Sequence, residues 1–267
     1  MTQEYKQLWR FYVDTKEATS LIGIRIFLNE DESRLAAQVL RLREGEELEL
    51  ANGLGWTARA VISALQKKVV EVEVRQEFHF PWAAKRRVAI VGLPKPGALD
   101  EVVQAAVDAG LDNLIFFRGE RSTSKQEFKA DKIQRQVSEL SRITKSPWNL
   151  VVHYCDSLAA ALEKTRAMSE HGEARFFVCD ERPVHGDVPE PAPHLLELLL
   201  QSESESWACV VGPEASFSAH EYELLVQFKE KNSLDFVGLG SRILRTPAAV
   251  AAAAWMMAGC QERLKSK

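Results

Sequence analysis

The chain is poor in the features that announce a common chemistry. It has four cysteines, Cys155, Cys179, Cys209 and Cys260, and no two are close enough for a Cys-x-x-Cys pair. That excludes a zinc ribbon and a thioredoxin-type redox motif, and leaves thiols that read as buried groups in a reducing cytoplasm. The six histidines are scattered and no serine sits in Gly-x-Ser-x-Gly, so a hydrolase triad has no support. His153, His185 and His220 read as structural or surface groups. No Gly-x-x-x-x-Gly-Lys-Ser/Thr phosphate loop occurs, and Gly238-x-Gly240-x-x-Ile243 lacks the third glycine of a dinucleotide fingerprint. No apolar run reaches the ~20 residues of a membrane span, and Met1–Lys6 lacks the basic patch and apolar core of a signal peptide. The longest apolar stretch, Ala248 to Cys260, is rich in small residues and suits a core or subunit-interface helix. Neither sign of charge dominates: 34 Lys+Arg stand against 38 Asp+Glu, a net charge of -4. Basic residues do concentrate in the middle, where residues 81–145 carry 12 Lys+Arg and 8 Asp+Glu. A run of that size is as compatible with a solvated helix face as with an RNA contact.

What is present is a change of rhythm. From about residue 20 to 76 the apolar residues mostly alternate, as in Ile22 to Phe27, Glu47 to Leu50, Thr57 to Val61 and Val69 to Val74, which predicts short antiparallel strands. A helix-like insert covers Ser33 to Leu42, and Asn52-Gly53 supplies the left-handed turn that a hairpin needs. A small β-barrel over residues 1–80 is the natural product. A boundary falls between Gln76 and Arg87, in a stretch with Pro81 and the basic trio Lys85-Arg86-Arg87. From Val88 strands alternate with helices to the end, which predicts a second domain over 85–267 with a parallel sheet covered on both faces.

Two of those later strands run straight into glycine turns, at Val211-Gly212-Pro213-Glu214 and at Gly238-Leu239-Gly240-Ser241. In a parallel sheet ligands bind beyond the carboxyl ends of strands, and glycine there lets main-chain groups reach a ligand. Ordinary strand-to-helix punctuation would look the same. Asp180-Glu181-Arg182 stands at another strand end and can line the same pocket or form a charged turn.

The Gly-Pro-Glu turn followed by Leu239-Gly240-Ser241-Arg242-Ile243-Leu244-Arg245-Thr246 and an alanine-rich helix resembles the RsmE family of ribosomal RNA uracil N3-methyltransferases, of the SPOUT class. Arg10-Phe11-Tyr12, Val39-Leu40-Arg41-Leu42 with Gly45, and Glu120-Arg121-Ser122 with Lys125 lie where that family has comparable pieces. The resemblance implies a PUA-like RNA-binding barrel, then a trefoil-knotted α/β domain that binds S-adenosylmethionine and works as a homodimer on 16S ribosomal RNA. Periodicity shows nothing of the knot. It also implies that Val211, Gly212, Pro213, Glu214, Leu239, Gly240 and Ser241 present main-chain groups to the cofactor, with Ile243 and Leu244 as an apolar wall. Arg245, and after it Arg242, would stabilise the uracil anion that forms when N3 loses its proton; each could equally be tied up in an ion pair that locks the loop. Arg10, Arg41, Arg121, Ser122, Lys125 and Arg142 would hold RNA phosphates, contacts that anchor without reading sequence.

The match is imperfect on the functional side. The family's Gly-Pro-Glu-Gly-Gly reads Gly212-Pro213-Glu214-Ala215-Ser216, with strain expected if either replaced glycine needs φ > 0. Arg-Thr-Glu-Thr-Ala reads Arg245-Thr246-Pro247-Ala248-Ala249, and the arginine of Glu-Gln-Ser-x-Arg is replaced by Ile143, with Arg142 one place early. Gln-Lys before Glu-Leu-Gly reads Gln104-Ala105. The alternatives are therefore a non-catalytic RNA-binding paralogue, or a SPOUT methyltransferase with a different RNA target.

Overall fold

A computed structural model describes residues 8–15, 20–66, 69–82, 86–122, 128–169, 174–180, 192–202, 204 and 206–265. They fall into two compact units, Met1–Trp82 with Ser141–Asn149, and Ala83–Leu140 with Leu150–Lys267.

In the first unit the alternating segments form one sheet of β1 (Arg10–Tyr12), β2 (Arg25–Phe27), β3 (Glu47–Ala51), β4 (Trp56–Leu65) and β5 (Val70–His79), in the order β1-β3-β4-β5-β2. Period two puts Leu48, Leu50, Ala58, Ala60, Ile62, Val70, Val72 and Val74 on one face, where they close over Phe11 and Trp56. Asn52-Gly53 turns the chain between β3 and β4 with Gly53 at φ +69°. The expected insert is a short helix, α1 (Glu30–Arg34), capped by the Asn29 side chain and running into a π-helical turn at Leu35–Val39. The strands of the alternating stretch pair antiparallel as expected, β2 with β5, β3 with β4 and β4 with β5, while β1, ahead of that stretch, joins the sheet parallel to β3. Side-chain period reports which face is buried and carries no information on strand direction.

Ser141–Asn149 belongs to this unit although it lies far along the chain, and a buried ionic network explains why. Arg10, 2% exposed, forks onto both Glu49 carboxylate oxygens at 2.9 and 3.0 Å and donates to the carbonyls of Lys145 and Ser146. Lys145 Nζ donates to Glu49 at 3.0 Å and to the Leu8 carbonyl. Arg142 forks onto Glu32 at 2.6 and 2.9 Å, donates to the Arg10 carbonyl and lies over the Tyr12 ring. Burial works against the Glu49 charge, yet the hydrogen bonds from Arg10 and Lys145 hold its carboxyl below the usual range. This corrects two expectations. Arg10 is buried and is no surface cation for RNA phosphate, and Arg142, with a side chain 20% exposed, is taken up by Glu32 and the Arg10 carbonyl.

The second unit is a six-stranded, wholly parallel sheet of β6 (Arg86–Gly92), β7 (Asn113–Phe117), β8 (Val151–Cys155), β9 (Ala174–Cys179), β10 (Ser206–Val211) and β11 (Leu234–Val237), in the order β11-β9-β10-β6-β7-β8. Its central strands are continuous apolar runs, because both faces are covered. One face packs α2 (Pro96–Asp108), α3 (Ala130–Thr144), α5 (Leu195–Gln201) and α7 (Thr246–Lys265); the other packs α4 (Leu158–Met168) and α6 (Ala219–Lys231). Every crossover toward β8 uses the first face and every crossover back uses the second, so all have the same hand. Residues 181–191, between β9 and α5, lie outside the described residues. So do Lys125, Glu181, Arg182 and His185. No described helix is long and apolar enough to cross a membrane.

Candidate cofactor and RNA site

Both glycine turns leave the sheet at one level. Val211 at the end of β10 and Val237 at the end of β11 are each in register with Cys179 of β9, the strand between them. Two strand spacings separate them, about 10 Å. The sheet order also fixes where the chain goes next. β11 is an edge strand, whereas α7 packs against β10 and β6. Residues 238–245 must therefore cross the carboxyl edge past β9 to deliver that helix.

The first turn is wedged in place. Pro213 presses on Gly92, where an added Cβ would strike the proline backbone, and on Gly119, where it would come within 3.0 Å of Pro213 Cγ. Ser216 N–H donates to the Pro213 carbonyl at 2.8 Å, closing the turn. Glu214 is partly exposed and pairs with Lys95 at 3.1 Å, a surface contact of small energetic weight. Ser216 itself has φ +61°, the strain expected where the family has glycine. An L-residue in the left-handed region costs roughly 1 kcal/mol or more, so Ser216→Gly should raise the unfolding free energy by about 0.5–1 kcal/mol. Chemical denaturation of the two proteins measures it.

The second turn is open. Gly240 has φ +136°, which only glycine adopts easily, and the place of its missing Cβ has no atom within 4 Å. Among the described residues none of the amides from Leu239 to Arg245 donates to another main-chain group. Leu239 is partly buried, Ser241 is exposed, and Ile243 and Leu244 are 79% and 36% exposed. Arg242 and Arg245 are exposed, and neither meets a described carboxylate in an ion pair. The loop-locking alternative for these two arginines finds no partner among the described residues. Thr246, Ala249 and Val250 then bury the start of α7.

A cluster that sequence reasoning missed joins this edge to the β7–α3 loop. Gly119 to Ser122 is a tight turn closed by Ser122 N–H to the Gly119 carbonyl at 2.9 Å, with Glu120 and Arg121 at its corners. The Glu120 carboxylate accepts from Ser218 Oγ at 2.5 Å and meets His220 Nδ1 at 2.6 Å. Glu221, 3% exposed, accepts from the amides of Ser218 at 2.8 Å and of Glu120 at 3.1 Å. Glu221 is thus the second half of a capping box on α6 and a strap on the neighbouring loop. Nothing in the sequence said that Glu120 would join this cap. Hydrogen bonding from Ser218 and then His220 lowers the Glu120 carboxyl, and the bond to Glu120 raises His220. Since the folded value of His220 is raised, the pair is complete below the ordinary value near ~6.5 and is lost as pH climbs through the higher one. An NMR titration should find the His220 midpoint above that ordinary value in the native protein and returned toward it in Glu120→Gln.

Arg121 is exposed beside this cluster, with Ser122 half-buried, and Arg41 is exposed in the first unit at φ +55°. Asp180 follows β9 at the same edge as the glycine turns. The described residues contain no group of three or more His, Cys, Asp or Glu able to hold a metal ion.

The first unit is a small β-sheet module, and a parallel sheet covered on both faces, with glycine turns at its carboxyl edge, puts the second unit in the α/β class. The sequence places it more narrowly: a profile of the RNA methyltransferase domain matches residues 83–258, and the chain belongs to that family. A profile of the RNA methyltransferase PUA domain matches residues 28–75. Ribosomal RNA small subunit methyltransferase E of Mycobacterium bovis, like that of Mycobacterium tuberculosis, is 25% identical over 251 residues, covering 91% of this chain and 88% of the relative. The crystal structure of ribosomal RNA small subunit methyltransferase E from Neisseria gonorrhoeae bound to S-adenosyl methionine superposes with a TM-score of 0.71 at 22% identity, over 94% of this chain and 97% of that one.

Proposed function

We propose that this RNA methyltransferase transfers the methyl group of S-adenosylmethionine to N3 of a uridine in 16S ribosomal RNA. The observation that carries the reading is the pair of glycine turns, level with each other two strands apart. Residues 85–267 would be the catalytic domain, in the trefoil-knotted form of the SPOUT class, and residues 1–80 an RNA-binding domain. The partner is the ribosomal RNA or small subunit in the cytoplasm, and the working form is a homodimer.

The donor set fits the cofactor. Val211, Gly212, Pro213 and Glu214 on one side, and Leu239, Gly240 and Ser241 on the other, would hold the adenosyl group through main-chain atoms, with Ile243 and Leu244 covering it. When bound, the cofactor supplies an electrophilic methyl on a sulfonium. Two exposed apolar side chains at a glycine turn gain by such cover, since each regains the contact it lacks in water. Arg245, with Arg242 beside it, would face the uracil carbonyl oxygens and favour the anion left when the N3 proton departs. Arg41, Arg121, Ser122 and Lys125 would hold phosphates.

A second reading, an RNA-binding relative without turnover, is favoured by the strained Ser216 and by Pro247-Ala248 beside the pocket. Mass spectrometry of 16S ribosomal RNA from a strain lacking the protein separates them. Loss of 3-methyluridine, restored by the wild-type protein and not by Arg245→Ala, is the expected result. Retention of the modified base would refute the uridine assignment.

A further inference from the structure

We propose that Glu120 is a positioning residue: it fixes the adjacent Arg121 at the RNA side of the cofactor edge through the strap formed by Ser218, His220 and Glu221. This rests on the reading of Arg121 as an RNA contact. Glu120 and Arg121 occupy the two corners of one tight turn, so the direction of the second side chain depends on what holds the first. Glu120 is held at three points, by Ser218 Oγ at 2.5 Å, by His220 Nδ1 at 2.6 Å, and through its own amide by Glu221 at 3.1 Å. All three partners belong to the N-terminus of α6, whose cap Ser218 lies four residues after the Gly212-Pro213-Glu214 turn. Gly119, one residue earlier, packs on Pro213 itself. The turn that carries Arg121 is therefore referenced to the turn assigned to the cofactor, and a buried carboxylate on Glu221 ties the two. The charged group that acts on Glu120 is His220 of α6, and His220 in turn feels Glu223 and Glu221 of the same helix.

The sign of one mutational effect tests this. A carboxylate beside bound RNA repels phosphate, so deleting it should tighten binding if Glu120 is only a surface charge. Positioning predicts the opposite. Affinity for a 16S ribosomal RNA transcript should fall about tenfold in Glu120→Ala, the cost of one mis-set charged contact, with Glu120→Gln recovering most of it because the amide oxygen can still accept from Ser218. Arg121→Ala should weaken binding by itself, and the double variant should be no weaker than Arg121→Ala. Calorimetry with S-adenosylmethionine should give unchanged cofactor affinity in Glu120→Ala, confirming an intact second unit. If Arg121→Ala weakens RNA binding while Glu120→Ala binds as tightly or more tightly, or if the two effects add, Glu120 has no such role. If Arg121→Ala leaves binding unchanged, the RNA reading of Arg121 fails and takes this proposal with it.

Discussion

Arg10→Ala should lower the unfolding free energy by about 3–5 kcal/mol, the usual cost of removing one member of a buried ion pair. The guanidinium is 2% exposed and makes four hydrogen bonds, two to Glu49 and one each to the Lys145 and Ser146 carbonyls. Its loss leaves a partly buried carboxylate, already facing burial, with only Lys145 to answer it. Arg142→Ala should cost a similar amount by stranding Glu32, which is 8% exposed. Arg10→Lys should recover only part of the loss, because an ammonium cannot reproduce the planar fork. Urea denaturation gives these values directly. Arg121→Ala is the contrast: exposed and outside the network, it should change stability by no more than about 0.5 kcal/mol. It should instead reduce the salt slope of RNA binding by about 0.7–0.9. An Arg10 variant that kept full stability and lost only RNA affinity would restore the surface role and remove the network as the reason that Ser141–Asn149 belongs to the first unit.

Gly92→Ala should weaken binding of S-adenosylmethionine about 5- to 150-fold. Gly92 ends β6, and an added Cβ would meet the Pro213 backbone, which is no flexible side-chain tip that could swing aside. Overpacking of this kind costs typically 1–3 kcal/mol. The displaced element here is the turn assigned to the cofactor, so the same energy reads out as affinity. Gly97→Ala, at a position where nothing lies within 4 Å of the added atom, is the matched control and should bind normally. Calorimetry on the two variants and the parent decides the matter; equal affinities in all three would mean that the Pro213 turn does not touch the cofactor.

The contrast between Arg10 and Gly240 shows what the sequence could and could not convey. Strand-to-glycine transitions are local: Val211-Gly212 and Val237-Gly238 are legible because an apolar run stops at a residue that permits a turn. The alternation of strands and helices after Val88 likewise encodes a covered parallel sheet, since continuous apolar strands must be buried on both faces. Arginine carries no such mark. Arg10 and Arg121 both belong to family-like pieces, yet one is interior and the other exposed, and the difference lies in Glu49 and Ser146, 39 and 136 residues away from Arg10. The Glu120 cluster was hidden for the same reason, because His220 is 100 residues distant. Strand order was hidden too: β9 lies between β10 and β11, and only that order brings the two glycine turns to one level.

The most direct test of the account is a crystal of the protein grown with S-adenosylmethionine. The account predicts adenosyl density between Pro213 and Gly240, bonded to main-chain atoms of Leu239 to Ser241 and covered by Ile243 and Leu244. Density at any other place on the sheet, or an empty edge at saturating cofactor in a protein that still binds RNA, would contradict it.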